Sequence, residues 1–314
     1  RSPKRSPTLL NKRVAALALL LTLAACAKDP LAPTPRTTST STSTTVAVDQ
    51  TAPLIAAAGD IACPATLRPT PGQCQQEATA ETIESLHPAA VLALGDLQYE
   101  RGDKPNFDAS YDKSWGRFKA ITHPAPGNHD WSTPNLAGYR QYWPTFVDAA
   151  KRQTWYSFNV GTWHVVALDS DCRSVGGCQA GSPQEQWLRA DLAAHPARCI
   201  LAFWHHPRWS SGFHGSDPGY DDFYKALADH GGDVVLVGHD HHYERFGPDR
   251  GIREFVVGTG GRSLYPVITI EQRSEVRNSG TFGVLALRLG NGAYSWRFVP
   301  SAGGSFTDEG SAGC

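Results

Sequence analysis

From Ala52 onward the chain is a series of short apolar runs, residues 54–58, 89–94, 163–168, 199–204, 234–237, 255–257 and 284–289, separated by polar and glycine-bearing stretches. Runs of this length, rich in β-branched or aromatic residues and closed by glycine or a polar residue, predict buried strands. Between them, residues 75–86 and 184–194 read as helices. The second is entered through Ser182-Pro183, an N-cap followed by a first-turn proline. Strands alternating with helices predict a layered α/β domain. Neither an internal repeat nor a linker divides residues 52–314, so this stretch reads as one domain.

The preceding residues break the pattern. Lys4, Arg5, Lys12 and Arg13 lead into an apolar stretch, 14–23, that ends in Ala24-Ala25-Cys26. This reads as a secretory signal over residues 1–25, short of the ~20 apolar residues that a spanning helix needs. Leu23-Ala24-Ala25-Cys26 also resembles the lipobox of bacterial lipoproteins, which implies an acylated Cys26 and a membrane anchor. Ordinary cleavage and secretion is the alternative. Residues 26–51 carry Pro30, Pro33, Pro35 and a run of only Thr and Ser from Thr37 to Thr45, a composition that reads as a tether. Residues 52–314 would then be the folded domain that the tether carries.

Composition and charge narrow the classes. At 314 residues with 40% hydrophobic content, a sizeable core is within reach. The net charge of −1 includes residues 1–25, which hold Arg1, Lys4, Arg5, Lys12 and Arg13 and no acid; without them, 24 basic residues face 30 acidic ones, a net −6. A mildly acidic body argues against nucleic acid as a charge-steered partner, except as a substrate. Small phosphate esters remain open, because bound metals attract them locally. With Cys26 set aside, Cys63, Cys74, Cys172, Cys178, Cys199 and Cys314 form an even set suited to an oxidising exterior. Sequence leaves their pairing open, although the short separations suggest Cys63 with Cys74 and Cys172 with Cys178, leaving Cys199 for Cys314.

Five segments close apolar runs with metal-capable residues: Gly59-Asp60, Gly95-Asp96-Leu97-Gln98-Tyr99, Gly127-Asn128-His129-Asp130, Trp204-His205-His206-Pro207 and Gly238-His239-Asp240-His241. Oxygen and nitrogen donors without thiolate suit paired iron, manganese or zinc ions, a standard device for displacement at phosphorus. Each segment alone has a plainer reading, since Gly-Asp after a strand is a turn and an isolated His or Tyr is a packing residue. In this order and spacing they reinforce one another.

Together these segments resemble the calcineurin-like metallophosphoesterase superfamily, and within it the purple acid phosphatase branch, from Gly59 to about Gly261. The wider superfamily opens with Asp-x-His. The purple branch has Asp-x-Gly instead and takes a tyrosine from Gly-Asp-x-x-Tyr. Here Asp60-Ile61-Ala62 lacks the histidine and Asp96-Leu97-Gln98-Tyr99 supplies the tyrosine. The resemblance implies a four-layer α-β-β-α sandwich of α/β class in a single domain. It further implies a first metal on Asp60, Asp96, Tyr99 and His241 and a second on Asn128, His205 and His239, with Asp96 bridging. His205 is preferred to its neighbour because it follows the strand directly, two residues before Pro207; His206 would line the site. A phenol of pKa ~10 ionises near neutrality only against a strong Lewis acid, so Fe(III) is expected there, with Zn, Mn or Fe(II) at the less anionic second site. His129 and His214 are the expected catalytic residues, stabilising the phosphoryl group or protonating the leaving oxygen.

The implied activity is that of an exported, membrane-anchored phosphomonoesterase of acid-phosphatase type, working through a metal-bridging hydroxide on a phosphate ester. A phosphodiesterase acting on nucleotide or lipid head-group diesters is the alternative, decided by loops 100–120 and 207–222. An inactive, metal-containing binding protein is the third reading. Trp131, Trp209 and Phe213 are candidates for the entrance, and Arg208 for a second phosphate or an ion pair within its loop. His87, His123, His164, His195 and His230 lie outside any motif and read as structural or solvent-facing.

Overall fold

The apolar runs assemble into two sheets in a computed structural model that describes residues 46–147 and 153–314. The expectations for residues 1–25, for Cys26 and, up to residue 45, for the tether lie outside the described residues. In the first sheet β1 (Leu54–Ala58), β2 (Ala90–Leu94) and β3 (Thr122–Ala125) run parallel. Three late strands, β11 (Gly283–Gly290), β12 (Ala293–Pro300) and β13 (Glu309–Gly313), extend the β1 edge antiparallel, giving the order β13-β12-β11-β1-β2-β3. The second sheet has a parallel centre of β5 (Trp163–Ala167), β6 (Cys199–Phe203), β7 (Val234–Val237) and β9 (Arg253–Val257). Antiparallel β4 (Tyr156–Val160) closes one side, and β8 (Tyr243–Phe246) and β10 (Ser274–Asn278) close the other.

Alternation along each strand explains the layering. Val165, Ala167, Leu201, Phe203, Leu236, Phe255 and Val257 face the first sheet in one core, while Val166, Ile200, Ala202, Val235, Val237 and Val256 belong to a second core. That second core is completed by Leu188 and Leu192 of α4 (Pro183–Ala194) and by Phe223, Tyr224 and Leu227 of α5 (Asp221–Asp229). Successive side chains point to opposite faces, so a strand covered on both sides must be apolar throughout. This is why the central strands read as unbroken runs. On the far side of the first sheet α1 (Gln76–Leu86) packs against β1 and β11, completing a four-layer α/β sandwich in one domain. Each large side chain buried in these cores contributes about 1.5–3 kcal/mol.

Strands β3, β4, β8, β10, β12 and β13, the short helices α2 (Lys104–Ala109) and α3 (Ala137–Tyr142), and α5 lie outside the predicted elements. Most of these strands are edges or mix polar with apolar residues; β10 alternates half-buried and exposed positions along Ser-Glu-Val-Arg-Asn. Among the described residues the disulfides are Cys63–Cys74, Cys172–Cys178 and Cys199–Cys314. Cys199 opens β6 and Cys314 follows β13, so the last bridge fastens the edge of one sheet to the centre of the other.

Helix α4 begins as its sequence requires. Ser182 Oγ accepts from the Glu185 N–H at 3.3 Å, and the Glu185 side chain accepts from the Gly181 N–H at 2.9 Å. Gln184, buried in the first turn, then exchanges two hydrogen bonds with the Asp169 backbone, at 2.7 and 2.8 Å. This fixes the loop after β5, which carries Ser170 to the site described next.

Candidate metal centre

The predicted donors converge at the C-terminal ends of the parallel strands. Asp60 follows β1, Asp96 and Tyr99 follow β2, Asn128 and His129 follow β3, His205 follows β6, and His239 and His241 follow β7. The intervening glycines make room: a methyl group at Gly95 would collide with the His205 ring, and one at Gly127 with the Asp96 carboxylate. Asp60, Asp96 and His239 hold left-handed backbone conformations, with φ of 61°, 49° and 69°. Such conformations cost of order 1–3 kcal/mol each and collect where a site over-determines them.

Tyr99 stands at the middle of one half. Its hydroxyl lies 2.8 Å from Asp60 Oδ1, 2.8 Å from Asp96 Oδ2 and 3.0 Å from His241 Nε2. In the other half His205 Nε2 lies 3.2 Å from Asn128 Oδ1 and 3.3 Å from His239 Nδ1. The same nitrogen is 3.3 Å from Asp96 Oδ2, so one carboxylate oxygen touches both halves. All seven side chains expected to bind metal are therefore in one cluster.

The imidazoles are aimed by partners that the sequence did not reveal. His205 Nδ1 donates to the Leu94 carbonyl at 2.9 Å and His129 Nδ1 to the Glu100 carbonyl at 2.7 Å, while His241 Nδ1 pairs with Ser263 Oγ at 3.0 Å. Each bond leaves Nε2 facing the cluster, the orientation by which metal-bound histidines are held. Tyr265 stacks on His241 with ring centroids 3.9 Å apart. Asp130 accepts from the Gly127 and Leu97 N–H groups at 2.9 and 3.2 Å, tying two donor loops together. Asp240 points away from the donors and accepts the His214 N–H at 2.8 Å. No sequence signal named that partner.

His129 packs against the Tyr99 ring, centroids 4.2 Å apart, with Nε2 4.0 Å from Asp96 Oδ2. The His214 ring is exposed and 4.1 Å from that of His239. His206 bonds Ser170 Oγ at 2.8 Å and forms the inner wall of an open cavity of about 440 Å³ bordered by Ser170, Arg173, Asp217 and Tyr220. Among the entrance candidates only Phe213 is exposed. Trp131 donates to buried Asp169 at 3.1 Å, and Trp209 lies between Arg208 and Arg273. Arg208 pairs with Asp221 at 3.4 Å, the ion-pair reading of that residue.

Charge gives a direct test of fit. Asp60 and Asp96 are buried, and among the described residues their ion-pair partners are imidazoles, not Lys or Arg. Burial pushes the Asp96 carboxyl up, but the charges of His205, His129 and His239 outweigh it and hold the group well below its ordinary range. Burial pushes His205 down, yet Asp96 and Asp60 overcome it and raise the ring to about 10. Burial and then the charges of Asp60 and Asp96 push the Tyr99 phenol far up, so in the bare chain it donates its proton. The cluster thus draws protons into its centre, the behaviour of an anionic cavity built around cations. Carboxylates, phenol, amide and imidazoles without thiolate fit two ions of the iron, manganese or zinc type.

Comparison with known proteins agrees with this geometry. Residues 53–243 match the calcineurin-like phosphoesterase family. The chain is 33% identical over 238 residues to an uncharacterized protein of Mycobacterium tuberculosis, covering 68% of this chain and 44% of that one. It is 27% identical over 210 residues to human acid phosphatase type 7, covering 56% of this chain and 44% of that one. The chain thus spans less than half the length of these relatives. Among solved structures, a purple acid phosphatase from yellow lupin seeds superposes with a TM-score of 0.65 at 20% identity, over 84% of this chain and 54% of that one, and shares its fold.

Proposed function

The chain belongs to the calcineurin-like phosphoesterase family, and from that premise we propose that residues 52–314 form a binuclear phosphomonoesterase of the purple acid phosphatase type. The observation that carries the reading is Tyr99, whose hydroxyl meets Asp60, Asp96 and His241 within 3.0 Å. In this reading Asp60, Asp96, Tyr99 and His241 hold Fe(III), and Asn128, His205 and His239 hold Zn, Mn or Fe(II). Asp96 serves both, which its shared oxygen supports. Two such ions would lower the pKa of a bound water, bind the phosphoryl oxygens and offset the charge that develops in an in-line displacement.

The chain's own residues complete the chemistry. With Nδ1 engaged by the Glu100 carbonyl, His129 presents Nε2 to the cluster, where it can stabilise the phosphoryl group or hand a proton to the leaving oxygen. His214 serves the same side from its exposed loop beside His239, positioned through Asp240.

The three disulfides match an oxidising, extracytoplasmic setting. No described helix is long and apolar enough to cross a membrane. Membrane attachment in this proposal rests on acylation of Cys26 after removal of residues 1–25, with residues 26–51 as tether; mass spectrometry showing an unmodified Cys26 would exclude it.

The deciding experiment compares hydrolysis of an aryl phosphate monoester with that of the matching diester by the metal-loaded protein. A rate ratio well above one supports the monoesterase. A ratio below one replaces it with a diesterase, and a metal-replete protein without turnover on either replaces it with a binding role.

A further inference from the structure

At the start of β5, away from the phosphoesterase cluster, two histidines outside any motif converge on one buried carboxylate. His164 Nε2 lies 2.8 Å from Asp191 Oδ2, and His195 Nδ1 lies 3.1 Å from Asp191 Oδ1. One donor atom from each residue falls within 4.8 Å of the other two. We propose that His164, Asp191 and His195 form a third, separate metal site that takes Zn(II) through two imidazoles and one carboxylate.

The donor spacing suits the ion. Zinc–ligand bonds of ~2.0–2.1 Å in a tetrahedron place neighbouring donors about 3.3 Å apart, close to the 2.8 and 3.1 Å between the two ring nitrogens and the Asp191 oxygens, while the two rings stand 5.2 Å apart, 21° from parallel, and must turn toward a shared ion. Asp191 and His195 sit one turn apart at the end of α4, on one face. Along β5, His164 shares its side with Val166, which packs in the core beneath α4, whereas Val165 faces the first sheet. Helix and strand therefore deliver the three donors from two rigid elements.

Supporting contacts are also in place, all from β4. Asn159 Oδ1 stands 3.1 Å from His164 Nδ1, and the Ser157 hydroxyl donates to Asp191 Oδ1 at 2.8 Å. Zinc on Nε2 would leave Nδ1–H to donate to Asn159 Oδ1, in the manner that orients metal-bound histidines. His195 Nδ1 donates to the Asp191 carbonyl at 2.9 Å in the bare chain; loss of that proton frees its lone pair for the ion. His164 and Asp191 are buried, while the His195 side chain is 54% exposed, which gives the ion an entry path and leaves its fourth position to water.

The site is distinct from the phosphoesterase cluster. Ser170, the nearest residue on this strand path that touches His206, lies six positions beyond His164, roughly 20 Å at ~3.3 Å per extended residue. Bound zinc would clamp the β4–β5 hairpin to the C-terminal end of α4.

The test strips the whole protein with a chelator, titrates it with zinc chloride, and counts zinc per chain by mass spectrometry after dialysis. The wild type is expected to retain one equivalent more than His195→Ala or the bulkier His195→Gln. Asp60→Ala, which lowers occupancy of the phosphoesterase cluster, is expected to keep that extra equivalent. Since His195 is exposed, an unchanged melting curve of the stripped variants confirms an intact fold. Equal zinc in wild type and both His195 variants overturns the proposal. Loss of zinc only in Asp60→Ala overturns it as well and leaves the binuclear reading standing.

Discussion

Around Asp60 and His241 the metal centre gathers a carboxylate, a phenol and one imidazole, whereas around His205 and His239 it gathers two imidazoles and the Asn128 amide. Asp96 is common to both halves, with one oxygen 2.8 Å from Tyr99 and 3.3 Å from His205. Two neighbouring sites cut from one strand-end platform therefore differ in formal charge. The first suits a trivalent ion and the second a divalent one, because a hard, highly charged ion gains most from anionic oxygen donors. The asymmetry lies in side-chain identity, since both halves stand on loops that follow parallel strands.

Replacing the shared group tests the comparison most severely. Asp96→Ala should empty both halves and cut turnover by about 10³-fold or more, the scale of losing a principal electrostatic contributor; retention of both metals at wild-type affinity would refute the bridge. His129→Ala should keep both metals and lower kcat by roughly 10²–10⁴-fold. Metal loss with an unchanged rate per bound metal would show that His129 is a ligand instead.

Tyr99→Phe separates the halves. Metal analysis should show the first ion weakened by roughly 10–100-fold or more and the second retained, and equal weakening of both would dissolve the asymmetry. Ser263→Ala, which frees His241 Nδ1 without touching the second half, should produce a smaller loss confined to the first ion.

Removing the metals exposes the smallest effect. In the stripped chain His205 is raised from 6.5 to about 10, chiefly by Asp96 and Asp60 acting against burial. Its folded value exceeds its unfolded one, so its contribution to stability is complete below pH 6.5 and fades as pH rises through about 10. Melting temperatures of the chelated protein should fall across that window. Substitution of His205 by Gln should flatten the trend.

How much of this was legible beforehand follows from the physics of each part. The central strands β1, β2, β5, β6, β7, β9 and β11 announced themselves because burial on both faces demands continuous apolar residues. Helix α4 announced its start through Ser182-Pro183. Edge strands such as β10 did not, because half of their residues meet solvent and their pairing partners lie far away in the chain. The seven expected donors were visible because chemistry restricts them to few residue types, each placed within a few residues of the end of an apolar run. Their supports were hidden. The Leu94 and Glu100 carbonyls have no side-chain signature, and Ser263, Tyr265 and Asp130 are ordinary residues until the fold brings them to His241 or to the Gly127 loop.

The apolar strand runs, the even cysteine set and the order of donor types are written in the residues themselves, because burial, oxidation and coordination each select residues locally. Folding alone sets which imidazole nitrogen faces the centre, brings one oxygen of Asp96 to both halves, and makes His164 and His195 meet across Asp191. Those facts depend on the packing of distant strands and helices, and spacing along a chain does not encode angles between elements that meet only after folding.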